Sequence, residues 1–261
     1  MDKNSKNKPI ALFDSGVGGL TVYKELKKLL PNENYLYFGD TLNMPYGEKS
    51  PDELLKITRK IFDFFELKGI KAVVMACNTT SAICYDALKD SYNFQIYPII
   101  QSVSKLLSEI EAKKIGVFAT PATVNSHAYL KYLKGKEVIE IACPEWVKIV
   151  ENNEINAAES KEKIRQRVLE MQNFLPDKII LGCTHYPYLS GILKNYFCFE
   201  NLINPAEYFA RYIKKYLTAY DLVNPKSNGS EKFYVSSNPE KFQNAAKLFY
   251  ELNQLPKLIK L

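Results

Sequence analysis

The sequence predicts an α/β protein built on mainly parallel sheets, and three observations lead there. Short β-like runs alternate with helical stretches from one end of the chain to the other. Several of these runs are apolar at nearly every position, as strands covered on both faces must be. Two of them end alike, in "ACNTT" at residues 76–80 and in "GCTHY" at residues 182–186. Strand–helix alternation means parallel pairing through helical crossovers. The two cysteine motifs place Cys77 and Cys183 at what look like equivalent points of two halves, although no overt repeat joins them. The expected arrangement is two α/β domains facing each other across a cleft.

Element by element, strands are expected at 9–14, 34–40, 71–77, 95–100, 114–120, 137–143, 178–183, 201–204 and 232–236. The polar stretch "MDKNSKNKP" before the first strand lacks an apolar core and reads as a frayed tail rather than a secretory signal. The helix between the second and third strands carries the fullest set of signals. Ser50 is its N-cap, Pro51 its first residue and Glu53 the partner in a capping box. Leu54, Ile57, Ile61, Phe64 and Phe65 form one apolar face, and Gly69 marks the stop.

Composition narrows the function. The chain has 261 residues, 46% of them hydrophobic, enough for one large core or two smaller ones. No apolar run approaches the roughly 18 residues that span a bilayer. The five cysteines are odd in number and include no Cys-x-x-Cys, which argues against a disulfide framework and for a reduced, cytoplasmic protein. His127 and His185 are the two histidines, and neither stands at a zinc-ligand spacing from a cysteine pair. The formal charge of +6 comes from lysines scattered over helix-like surfaces, not from a stripe interleaved with aromatics. Neither nucleic acid nor a membrane is an expected partner.

The residues that carry chemistry lie at the expected strand ends, where parallel α/β sheets bind ligands. "FDSGVGGL" (13–20) closes the first strand with Asp14 and Ser15, and its glycines would let backbone N–H groups approach an anion. Thr21 stands where a dinucleotide fingerprint needs a third glycine, and Leu42 stands where a P-loop ending in "GEKS" needs its first. "GDTLNMPYG" (39–47) brings Tyr46 and Gly47 to the end of the second strand. Cys84, Cys143 and Cys198 read as inert small hydrophobes. Cys77 and Cys183 sit at strand-to-helix junctions, where a helix N-terminus favours a thiolate. Redox exchange wants adjacent sulfurs, and a Cys–His hydrolase leaves the second thiol idle. Inverting an amino acid's α-carbon needs a base on one face and an acid on the other. Two thiols from two opposed domains supply that.

"FDSGVGG", "GD" with "PYG", "ACNT", "ACPEWVKIVE" and "GCTHYP" together resemble the motif set of the glutamate racemases, in order from about residue 10 to 210. The resemblance implies two pseudo-symmetric α/β domains, residues 1–97 with 210–261 and residues 98–209, the C-terminal segment returning to the first. It implies interconversion of L- and D-glutamate without metal, pyridoxal phosphate or other cofactor, D-glutamate being a peptidoglycan precursor, and it makes a homodimer an expectation. Cys77 and Cys183 would be the acid/base thiols, with Asp14 assisting the first and His185, oriented by Glu151, the second. Ser15, Tyr46, Gly47, Asn78, Thr79, Thr120, Thr123 and Thr184 would hold substrate together with Asp14 and His185. Trp146 and Lys148 depart from the family pattern, which often has Phe and Pro there. None of the four arginines lies in a motif, so a dicarboxylate would be held by hydroxyls, amides and backbone N–H groups. The alternatives are a racemase of aspartate or another small acid, and a Cys183–His185 thiol hydrolase.

Overall fold

The structure is a computed structural model describing residues 5–225 and 228–261. Among the described residues ten strands form two parallel sheets. The first has the order β10-β9-β2-β1-β3-β4 and the second β6-β5-β7-β8. In chain order the strands are β1 (Ile10–Asp14), β2 (Tyr35–Gly39), β3 (Ala72–Met75), β4 (Gln95–Pro98), β5 (Lys114–Ala119), β6 (Glu137–Ala142), β7 (Lys178–Gly182), β8 (Leu202–Ile203), β9 (Glu231–Val235) and β10 (Lys257–Leu258). The first sheet thus takes its strands from both ends of the chain, because β9 pairs in parallel with β2.

Apolar runs become buried strands because both sheet faces are covered. Along β1, Ile10 and Leu12 enter one core cluster, and Ala11 and Phe13 enter another on the opposite face. The helix α2 (Pro51–Leu67) covers the second cluster with Leu54, Ile61, Phe64 and Phe65. Its capping box forms as the sequence predicts: Ser50 Oγ accepts from the Glu53 N–H while the Glu53 carboxylate accepts from the Ser50 N–H. Gly69, just beyond it, takes the left-handed conformation (φ +61°) that glycine adopts without cost. The first cluster is shared by both sheets. It runs through α1 (Leu20–Leu29) and the helices Ile99–Leu107 and Pro205–Ala219 to Val117 and Ile180 of the second sheet.

The structure changes several expectations. The fourth strand stops at Pro98, and Ile99 and Ile100 open a helix that buries both side chains. Residues 1–4 of the expected frayed tail lie outside the described residues. From Ser5 onward the tail is docked: Ser5–Asn7 form a 3-10 turn, Lys6 pairs with Asp221, and Lys71 Nζ donates to the Lys6 carbonyl. Cys198 is exposed, unlike the buried Cys84 and Cys143, because it precedes a surface turn. Among the described residues no helix is long and apolar enough to cross a membrane.

Candidate active site

The carboxyl ends of both sheets meet around a cavity of about 230 Å³. From the first sheet come Ser15 after β1, the 3-10 turn Tyr46–Glu48 beyond β2, and Cys77, Asn78 and Thr79 after β3. From the second come Thr120 after β5, Cys183, Thr184 and His185 after β7, and Glu151 at the end of the helix Trp146–Glu151. Parallel pairing puts each group there, since all strands of a sheet then end on one side. Two expected residues do not line the cavity. Asp14 and Thr123 are wholly buried, one layer behind the wall. Thr123 Oγ1 is 3.1 Å from Thr120 Oγ1, which is 3.1 Å from Thr79 Oγ1, so a hydroxyl chain crosses the cleft.

Each thiol has its own surroundings. Cys77 leaves β3 in extended conformation, its N–H reaching the Phe13 carbonyl of β1, and its sulfur lies 4.0 Å from Ser15 Oγ. Burial, and after it the charge of Asp14, push its pKa up to about 12. That overturns the expectation that its helix junction would favour the thiolate. The helix it opens, Asn78–Ile83, is only six residues long, and desolvation outweighs its dipole. Cys183 is followed not by an α-helix but by the 3-10 turn Tyr186–Leu189. Its sulfur is 3.8 Å from His185 Nδ1, and His185 Nε2 is 2.9 Å from Glu151 Oε1. Burial disfavours the imidazolium, but hydrogen bonds and charge from Cys183 and Glu151 prevail and lift its pKa to about 10. At neutral pH both ring nitrogens therefore donate, one to sulfur and one to carboxylate.

Asp14 ties the two halves together. Its carboxylate accepts from the Gly16 N–H at 2.9 Å and from Thr184 Oγ1 at 3.4 Å, and burial raises its pKa. Gly18, close beside it, packs directly against the loop that carries this contact. A Cβ on Gly18 would lie 2.3 Å from Thr184 Oγ1 and 2.5 Å from His185 Cε1. At Gly18 the turn after β1 thus closely approaches the Thr184–His185 loop after β7.

The polar wall is only partly satisfied. The Tyr129 hydroxyl donates to Asn78 Oδ1 at 2.7 Å, which turns the amide NH₂ toward other acceptors. That buried Nδ2 has no partner among the described residues, and an unpaired buried donor is costly unless something fills the place. Tyr46 is held differently: its hydroxyl donates to Asp40, which also accepts from Ser236 beyond β9. Sequence reading passed over Tyr129, Asp40 and Phe249, whose ring packs edge-on against His185 at 5.5 Å between centroids. Only Asp40, the acid of "GD" at a strand's end, carried a positional signal.

A model of the Asp/Glu/Hydantoin racemase family matches residues 15–212. The chain belongs to that family. Within it, the curated relatives are glutamate racemases: that of Carboxydothermus hydrogenoformans is 38% identical over 265 residues, covering 99% of this chain and 98% of its own. That of Thermoanaerobacter pseudethanolicus is 38% identical over 250 residues, covering 93% of each chain. Among solved structures, the glutamate racemase of Francisella tularensis in complex with D-glutamate superposes with a TM-score of 0.90 at 31% identity, over 97% of this chain and 98% of that one.

Proposed function

We propose that this chain interconverts L- and D-glutamate by proton transfer between two thiols on opposite faces of the α-carbon. The observation that carries the reading is that Cys77 and Cys183, from the carboxyl ends of two separate sheets, line one cavity. With L-glutamate, the Cys183 thiolate takes the α-proton, leaving a carbanion whose charge passes into the α-carboxylate. The Cys77 thiol then protonates the other face. The products are D-glutamate, a Cys183 thiol and a Cys77 thiolate, and the reverse reaction exchanges the roles. The His185 imidazolium, held by Glu151, stabilises negative charge on Cys183. Ser15, Gly47, Asn78, Thr79, Thr120 and Thr184 offer hydroxyl, amide and backbone groups to the carboxylates, the unpaired Asn78 Nδ2 foremost. Asp14 works from behind, through Thr184 and through its charge on Cys77. The reading extends to a cytoplasmic homodimer that supplies D-glutamate for the cell wall.

The test uses L-glutamate in deuterated water. Racemisation should exchange the α-proton as optical rotation decays; decay with the α-proton retained would overturn two-thiol transfer. Either Cys→Ser change should abolish racemisation, because a serine hydroxyl is far too weak an acid to replace the thiol. A glutamate analogue with a β-leaving group needs only one base to lose HX. Cys183→Ser should still eliminate from the D-analogue and Cys77→Ser from the L-analogue, followed as keto-acid product. Swapped preferences would exchange the two roles.

A further inference from the structure

Lys148 stands on the wall of the cavity. It stands on the helix Trp146–Glu151, three residues before Glu151 and so on the same face. Among the described residues no arginine and no other lysine lines the cavity; its remaining ionisable side chains, besides the thiols and Tyr46, are Glu48, Glu151 and His185. His185 is taken up by Cys183 and Glu151. The Lys148 side chain is exposed and makes no hydrogen bond or ion pair among the described residues. The entrance of a site for a dicarboxylate thus carries Glu48 and Glu151, which repel the substrate, and one uncommitted ammonium, which attracts it.

Resting on the glutamate reading above, we propose that Lys148 is the cation that recruits the substrate's distal carboxylate at the cavity mouth. Charge at the rim of a cleft acts chiefly on encounter, raising the local concentration of an oppositely charged ligand, and its effect falls with ionic strength. The chemistry lies deeper, at Cys77 and Cys183, so removing this charge should leave the proton transfers intact. Lys148 is then the recruiting cation of a cavity that no arginine lines among the described residues.

The experiment compares the full chain with Lys148→Met, which keeps the length of the stem, and Lys148→Arg, which keeps the charge. At low salt, Lys148→Met should raise KM for both enantiomers by about tenfold with kcat changed less than about twofold. Its kcat/KM should lose most of the salt dependence of the parent, and Lys148→Arg should restore both. The fall in kcat/KM must be equal for the two enantiomers, because their equilibrium constant is one. An unchanged KM and salt slope in Lys148→Met would overturn the role of Lys148 alone. A parent chain unable to racemise glutamate would overturn the functional reading beneath it.

Discussion

At the residue scale the two thiols are not equivalent, although their sequence contexts match. "ACNTT" and "GCTHY" both place a cysteine after a buried strand, and that much was legible. The difference comes from residues far away in sequence: Asp14 beside Cys77, and Glu151 behind the histidine of Cys183. Burial and the charge of Asp14 favour the neutral Cys77 thiol, while Cys183 and Glu151 favour a charged imidazole at His185. With two histidines in the chain, the charge of His185 can be read directly by NMR of labelled imidazoles. One resonance should stay protonated until about pH 10, and Glu151→Gln should move that titration to lower pH by removing a charge that holds the proton. The His185 resonance, identified by its loss in His185→Asn, titrating near an ordinary 6.5 in the parent would remove the basis for a charged partner to Cys183. In activity, His185→Asn should slow L-to-D turnover by about 10²–10⁴-fold, the usual cost of losing an acid/base partner. Any asymmetry in kcat must be matched in KM, since both directions share one equilibrium constant.

At the element scale, the strand ends were legible and the partners of the turns were not. Apolar runs located nine strands, most sharply β1, β2 and β3, which are buried at every position and have no exposed face to blur the pattern. The tenth, β10, has two exposed residues and no such pattern. The capping box of α2 was equally local and formed as predicted. Gly18 of "GVGG", by contrast, packs against a loop more than 160 residues later, and nothing at residues 16–19 names Thr184 or His185. Its consequence is a specific one. Gly18 has no positive φ, so alanine is permitted there by the backbone and refused only by its neighbours. Gly18→Ala should displace the Thr184–His185 loop, and a misplacement of about 1 Å near the chemistry can lower kcat by about 10²-fold. Its stability cost should stay within about 1–3 kcal/mol, the usual range for overpacking. Kinetics together with a thermal melt check this; near-parental kcat would mean that the loop yields without affecting His185.

At the scale of the whole molecule, the two sheets share one of the two core clusters, while the other covers the outer face of the first sheet. The cluster that holds Leu12 and Val74 of the first sheet continues to Val117, Ile180 and Trp146 of the second. The helix Pro205–Ala219 packs against both α1 and the helix Ile99–Leu107, and the chain then crosses back to lay β9 beside β2. His185 of the second sheet is itself buttressed by Phe249, from the segment that follows this return. Loosening one sheet therefore strips apolar cover from the other. Chains longer than about 150 residues often unfold in stages, so the outcome here is discriminating. Trp146 is the one tryptophan, is wholly buried, and reports on the second sheet alone, whereas far-UV circular dichroism reports on both. In urea the fluorescence and dichroism transitions should coincide in midpoint and slope, as a single cooperative unit requires. A fluorescence midpoint well apart from the dichroism midpoint would mean that the sheets unfold independently. The shared cluster would then be an interface between domains, and opening of the cleft would be a motion available to the native protein.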